Sequence, residues 1–245
     1  MQINMPSARS QQALIFIALA FLVIYFVCYA FLIRLFPFPS AALPAAQVAE
    51  FYRVNAIPIR IGAAICSWTG AFMLPLAIVI SIQLARLERG FPIWAMVEFA
   101  GGIMMTVFTV FPPLIWGTAA FSPERDPSAT QIFHEFGNLG FITTDQYFVF
   151  QFAAVAIVSL TQKVDAFSPF PRWLGYFTIW TTLVIEVGVA GFLPKSGPFA
   201  WNGMFVFWLP IMMFGTWIWS VAILMLRAIK RQAANGECDL AEGRA

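Results

Sequence analysis

The chain is poor in the residues that build most reaction centres. It has one histidine, His134, in 245 residues. Bis-histidine haem, histidine-rich copper sites and multi-histidine di-iron centres need more imidazoles than that. Such a centre would have to borrow ligands from a partner. The three cysteines, Cys28, Cys66 and Cys238, are far apart and form no CxxC pair. We read all three as unpaired, with Cys28 and Cys66 acting as small buried hydrophobes. Charged residues make up 11% of the chain, against about 25% in a soluble domain. The net charge of +2 comes with no basic stripe, so no nucleic-acid partner is implied. Walker, GxGxxG, HExxH and GxSxG motifs are missing. No lysine sits mid-way along an apolar run, which excludes a retinal Schiff base. These gaps leave no catalytic residue, metal site or cofactor to assign.

What the chain has is apolar surface. Hydrophobic residues reach 60% and aromatics 17%, including 27 Phe and 9 Trp, and the mean hydropathy is +0.79. A soluble fold of this length could not bury so much; a bilayer can. The expected fold class is therefore all-α, an integral membrane bundle. Six apolar stretches are long enough to cross, near residues 12–36, 57–87, 93–121, 139–160, 172–192 and 201–229. Two short outer amphipathic helices are expected near 47–55 and 127–136. Asp126-Pro127 supplies an N-cap and first-turn pair for the second, and Gly137 its expected end. Proline interrupts the third stretch at Pro112-Pro113 and the sixth at Pro210. Residues 1–231 form one transmembrane domain, and 232–245 read as a loose polar tail. The N-terminal apolar run is far longer than a signal-peptide core, so it reads as a retained first span.

Orientation follows from lysine and arginine placement. With the N-terminus inside, the cytoplasmic side holds 9 of these residues and the outer side 5. Both termini are therefore expected in the cytoplasm, with the cluster Arg227, Lys230 and Arg231 as the firmest anchor.

Ionisable groups inside a span cost roughly 2.5–3.5 kcal/mol each on insertion scales, and each calls for a functional hypothesis. Asp145 and Glu186 fall at similar depth in the outer third, and Arg60 enters the second span from the same side. Together they form a candidate ligand site, with His134 and Glu135 at its mouth and Gln151 deeper on the fourth span. The competing reading is a structural ion pair, Arg60 with Asp145 or Glu186. Glu98, before Ala100-Gly101-Gly102, reads either as a proton or cation carrier or as a carboxylate hydrogen-bonded near the headgroups. A lone histidine on a short amphipathic helix is more often just solvated, which is the competing reading of His134.

Two stretches, Phe170-Pro-Arg-Trp-Leu-Gly-Tyr176 and Lys195-Ser-Gly-Pro-Phe-Ala-Trp-Asn-Gly203, stand beside the loop Phe121-Ser-Pro-Glu-Arg-Asp-Pro127. Together they resemble a group of uncharacterised bacterial multi-pass membrane proteins with no assigned reaction. The resemblance spans about the second half of the chain and implies topology, not chemistry; the expected location is the bacterial inner membrane. The expected function is binding or transport of a small hydrophobic or amphipathic molecule through an outward-facing pocket. The partners are then membrane lipids, one of which could occupy the site, and a protein partner or second copy in a homo-oligomer. The alternatives are an accessory subunit or assembly factor of a larger membrane complex, and a membrane enzyme using carboxylate acid–base chemistry on a lipid-like substrate.

Overall fold

The structure, a computed structural model, describes residues 6–143, 149–163 and 166–238. Those residues are helical throughout their regular elements, and no strand occurs among them. Helix α1, Ala8–Cys28, starts at Ser7, whose hydroxyl accepts from the N–H of Ser10, and runs on through a π-turn, Tyr29–Ile33. It ends at Arg34, whose φ of 62° is left-handed and whose guanidinium donates to Asn55 Oδ1 at 2.8 Å. Helix α2, Ala45–Val54, is the expected amphipathic helix; it buries Val48 and Tyr52 and exposes Arg53.

Helices α3, Ala56–Thr69, and α4, Met73–Leu87, form the second expected span, joined by one tight turn, Gly70–Phe72. Helix α5, Ile93–Phe121, then runs unbroken through Pro112 and Pro113. A proline inside a helix removes the N–H that would bond the carbonyl four residues back. For Pro113 that carbonyl belongs to Thr109. There the tight turn packs in: a Cβ on Gly70 would lie 2.8 Å from Thr109 O, and Thr109 Oγ1 donates to Gly70 O at 2.5 Å. Only a glycine admits so close an approach. The expected interruption of α5 is instead an unbroken stretch of helix, packed at this point against the tight turn.

Helix α6, Pro127–Thr143, is longer than the sequence implied. Asp126 caps it as expected, accepting from the N–H of Ser128 at 2.9 Å. It does not stop at Gly137, because that glycine serves packing: a Cβ there would lie 2.4 Å from Trp116 Nε1. Helix α7 is Val149–Thr161, and α8, Arg172–Ile185, continues as a tighter helix, Glu186–Phe192. A π-turn, Met204–Trp208, leads into α9, Leu209–Ala234, so Pro210 sits in the first turn of α9 and does not interrupt it.

Among the described residues, five segments are long and apolar enough to cross a membrane: Ala8–Ile33, Ala56–Leu87, Ile93–Phe121, Arg172–Phe192 and Met204–Ala234. Their outward faces carry exposed Phe16, Val27, Met104, Phe111, Leu183 and Ile223, as lipid-facing helices should. The fourth expected crossing, 139–160, is divided between α6 and α7, and its middle lies outside the described residues.

Residues expected to begin a loose tail are packed. Gln232 and Cys238 are buried, and Arg86 pairs with Glu237 at 3.2 Å. All three cysteines are free thiols and all are buried.

Candidate functional site

The sequence grouped Arg60, Asp145 and Glu186. The structure separates the two of these that it describes. Helix α3 packs on α1 and α5, whereas Glu186–Phe192 packs on α6, α8 and the π-turn at Met204–Trp208. Arg60 is exposed, its guanidinium 5.0 Å above the ring of Phe121. Glu186 is half-buried and forms no ion pair with Arg60. Asp145 lies outside the described residues.

His134 is not at a wet mouth. It is 2% exposed and sits within a hydrogen-bonded chain. Trp116 Nε1 donates to Asn138 Oδ1 at 3.0 Å. Asn138 Nδ2 lies 3.0 Å from His134 Nε2, and His134 Nδ1 lies 3.1 Å from the Tyr52 hydroxyl. Tryptophan can only donate, so it fixes the amide orientation, and the amide N–H then faces Nε2. The histidine must therefore be neutral, with its proton on Nδ1 and donated to Tyr52. Burial pushes its pKa down to about 4, in agreement with that geometry. The chain ties α2, α5 and α6 together, and Trp201 closes over it edge-on, 5.6 Å from the imidazole, while donating to Pro39 O. Glu135, its neighbour, accepts from Gln131 at 2.9 Å and stays at the half-buried edge.

Below this chain lies an aromatic layer. Tyr29 stacks on Trp116 at 5.5 Å, Phe38 and Phe141 pack against both, and Phe207 packs on Phe38. The layer ends at a cavity of about 40 Å³ between α1, α5, α6, α8 and α9, bounded by Tyr25, Phe72, Phe108, Phe141, Val206 and Phe214 among others. One water needs roughly 10–15 Å³ by this measure, so a few heavy atoms fit. The lining is apolar except for Thr109, whose hydroxyl is taken by Gly70, and Tyr25. The Tyr25 hydroxyl is buried and has no hydrogen-bond partner. A buried hydroxyl without a partner is costly, by roughly 1–3 kcal/mol. Phe26, Phe108 and Ile211 are half-buried, so that wall is also the surface of the bundle.

Two polar centres lie towards the end of the bundle where α4 meets α5. Glu98 is fully buried and meets Gln151, the two having been assigned separately from sequence. Gln151 Nε2 donates to Glu98 Oε1 at 2.7 Å, and Ser81 Oγ donates to Glu98 Oε2. Gly101 and Gly102 make this possible. A Cβ on Gly101 would fall 2.6 Å from Gln151 N, and one on Gly102 2.4 Å from the Ala77 Cβ. The second centre is a knot of Gln11, Gln83 and Gln232, all fully buried. Gln83 and Gln232 exchange amide hydrogen bonds at 2.8 and 2.9 Å, and Gln83 also donates to Gln11. Gln11 donates onward to Pro6 O and Gln232 to Phe167 O. This knot is satisfied and joins α1, α4 and α9.

The sequence reading missed Tyr25, Ser81, Asn138 and the glutamine knot. Each is an uncharged polar residue in or beside an apolar run, which is the signal that was available. No group of three or more His, Cys, Asp or Glu able to hold a metal occurs among the described residues. Comparison with protein-family models, with curated proteins and with solved structures finds no match. Among the described residues, the class that the fold defines is thus an all-helical protein with five helices long and apolar enough to cross a membrane.

Proposed function

We propose that this is a six-span protein of the bacterial inner membrane, with both termini cytoplasmic, that binds or moves a small hydrophobic or amphipathic molecule. The ligand occupies the aromatic cavity, which lies in the outer half of the bundle in this orientation. One observation carries the reading: the buried Tyr25 hydroxyl has no protein partner at the wall of an otherwise apolar space. That pattern suits a mainly apolar ligand with one hydrogen-bonding group. Half-buried Phe26, Phe108 and Ile211 give a side entrance from lipid. The sixth crossing is formed by the end of α6 together with α7.

The test is organic extraction of protein purified in mild detergent, followed by mass spectrometry of what co-purifies. A compound retained near stoichiometry is expected in the wild type. Tyr25→Phe should retain it about 3–10-fold less tightly, the worth of one hydrogen bond. Ile142→Trp, which fills the cavity, should expel it. Retention unchanged by both substitutions would sink the assignment.

A further inference from the structure

Glu98 is left unexplained by a cavity higher in the bundle. It is the one charged residue type in α5, and it is fully buried in a helix able to cross a membrane. An intramembrane carboxylate ordinarily faces a cation. The charged groups that α4 and the α4–α5 turn present lie towards one end. Arg86 there pairs with Glu237, and the Glu88 carboxylate accepts from the N–H groups of Trp94 and Ala95. Arg89 is exposed. The described part of α7 has no charged residue, and the α3 arginine, Arg60, is at the opposite end of the bundle. Glu98 is instead surrounded by two groups that can each give or take a hydrogen bond. Ser81 presents a hydroxyl. Gln151 presents an amide whose Nε2 meets the carboxylate and whose Oε1 is buried with no partner.

We infer that Glu98, Gln151 and Ser81 form an occluded proton-exchange site, in which turning of the Gln151 amide accompanies binding and release of one proton. With Nε2 towards Glu98, the amide donates to a carboxylate. Turned over, its orphan Oε1 accepts from a carboxylic acid, and Nε2 takes the unpartnered side in its place. The proton comes from water and returns to water; no other bond changes. Gly101 and Gly102 let Gln151 lie close against α5, with its amide beside the carboxyl. The site is separate from the aromatic cavity, whose nearest α5 residues, Phe108 and Thr109, lie roughly 15 Å further along the helix at about 1.5 Å per residue.

Dicyclohexylcarbodiimide, an apolar reagent that attacks carboxyls carrying their proton, tests this on the full-length protein in detergent. Peptide mapping by mass spectrometry should find an adduct on Glu98 that declines as pH rises. In Gln151→Leu, which removes the amide donor to the carboxylate, labelling should persist about one to two pH units higher, the worth of a hydrogen bond to a charged group. Should Gln151→Leu fail to fold, infrared spectra of wild type and Glu98→Gln in lipid decide: a carboxylic-acid band that grows on acidification and is missing from the variant is expected. Absence of both the adduct and the band would overturn the proposal. Protection of Glu98 by Na⁺ at constant pH would also overturn it, by making an alkali cation the occupant.

Discussion

The hydrogen-bonded chain through His134 makes a quantitative prediction about acid. The ordinary imidazole pKa is 6.5, and burial lowers that of His134 to about 4. Above pH 6.5 both folded and unfolded chains hold a neutral imidazole, and the full stability is present. Between pH 6.5 and 4 the unfolded chain takes up a proton that the folded chain refuses, so stability falls as pH falls. Below pH 4 the loss levels off. The difference of about 2.5 units corresponds to about 3 kcal/mol in all. The carboxyls titrate in the same range, so the useful quantity is the difference between wild type and His134→Gln, which cannot titrate. Unfolding by SDS, followed by tryptophan fluorescence at several values between pH 7.5 and 4, gives that difference. The wild type should lose most of its advantage, about 3 kcal/mol, across this range. Because the chain has one histidine, its imidazole nitrogens are also readable by NMR without assignment. They should show a protonated Nδ1 and a bare Nε2 at neutral pH. A difference independent of pH, or a proton on Nε2, would refute the reasoning.

Three further outcomes follow from contacts in the bundle. Trp116→Phe removes the donor that orients Asn138; it should cost about 1–3 kcal/mol and let the Nε2–H tautomer of His134 appear in the same NMR spectrum. Gly102→Ala drives a Cβ to 2.4 Å from that of Ala77 and should cost about 1–3 kcal/mol by overpacking. Ala77→Gly in the same molecule should restore most of it, and strict additivity of the two changes in SDS unfolding would argue against this contact. Gln83→Leu strands the Gln232 amide and the Gln11 carbonyl. It should lower stability by about 1–3 kcal/mol, and adding Gln232→Leu should cost less than the sum.

Much of the fold was legible because bilayer crossing is a matter of length and hydropathy, both local properties. The segments expected near 57–87, 93–121 and 172–192 recur almost residue for residue in α3–α4, α5 and α8 with its extension. The Asp126 cap and the amphipathic α2 were legible for the same reason. The errors came where one residue type serves two ends. Gly137 reads as a helix terminator but is there to admit Trp116, and Pro112-Pro113 reads as a break but is carried by packing against Gly70. Depth along each span placed Asp145 level with Glu186 and brought Arg60 in from the same side, yet depth says nothing of which helices are neighbours.

The sequence by itself determined that this chain is helical and apolar enough to cross a membrane several times, and which few polar residues would have to be explained. The tertiary structure decided who meets whom. It joined Glu98 to Gln151 and Ser81, closed three glutamines into one knot, buried the lone histidine and left the Tyr25 hydroxyl alone at a cavity wall. The physical reason is that hydropathy acts on each segment separately, whereas a hydrogen bond inside a bundle needs two segments at one distance and one angle. That is fixed only when the helices have packed.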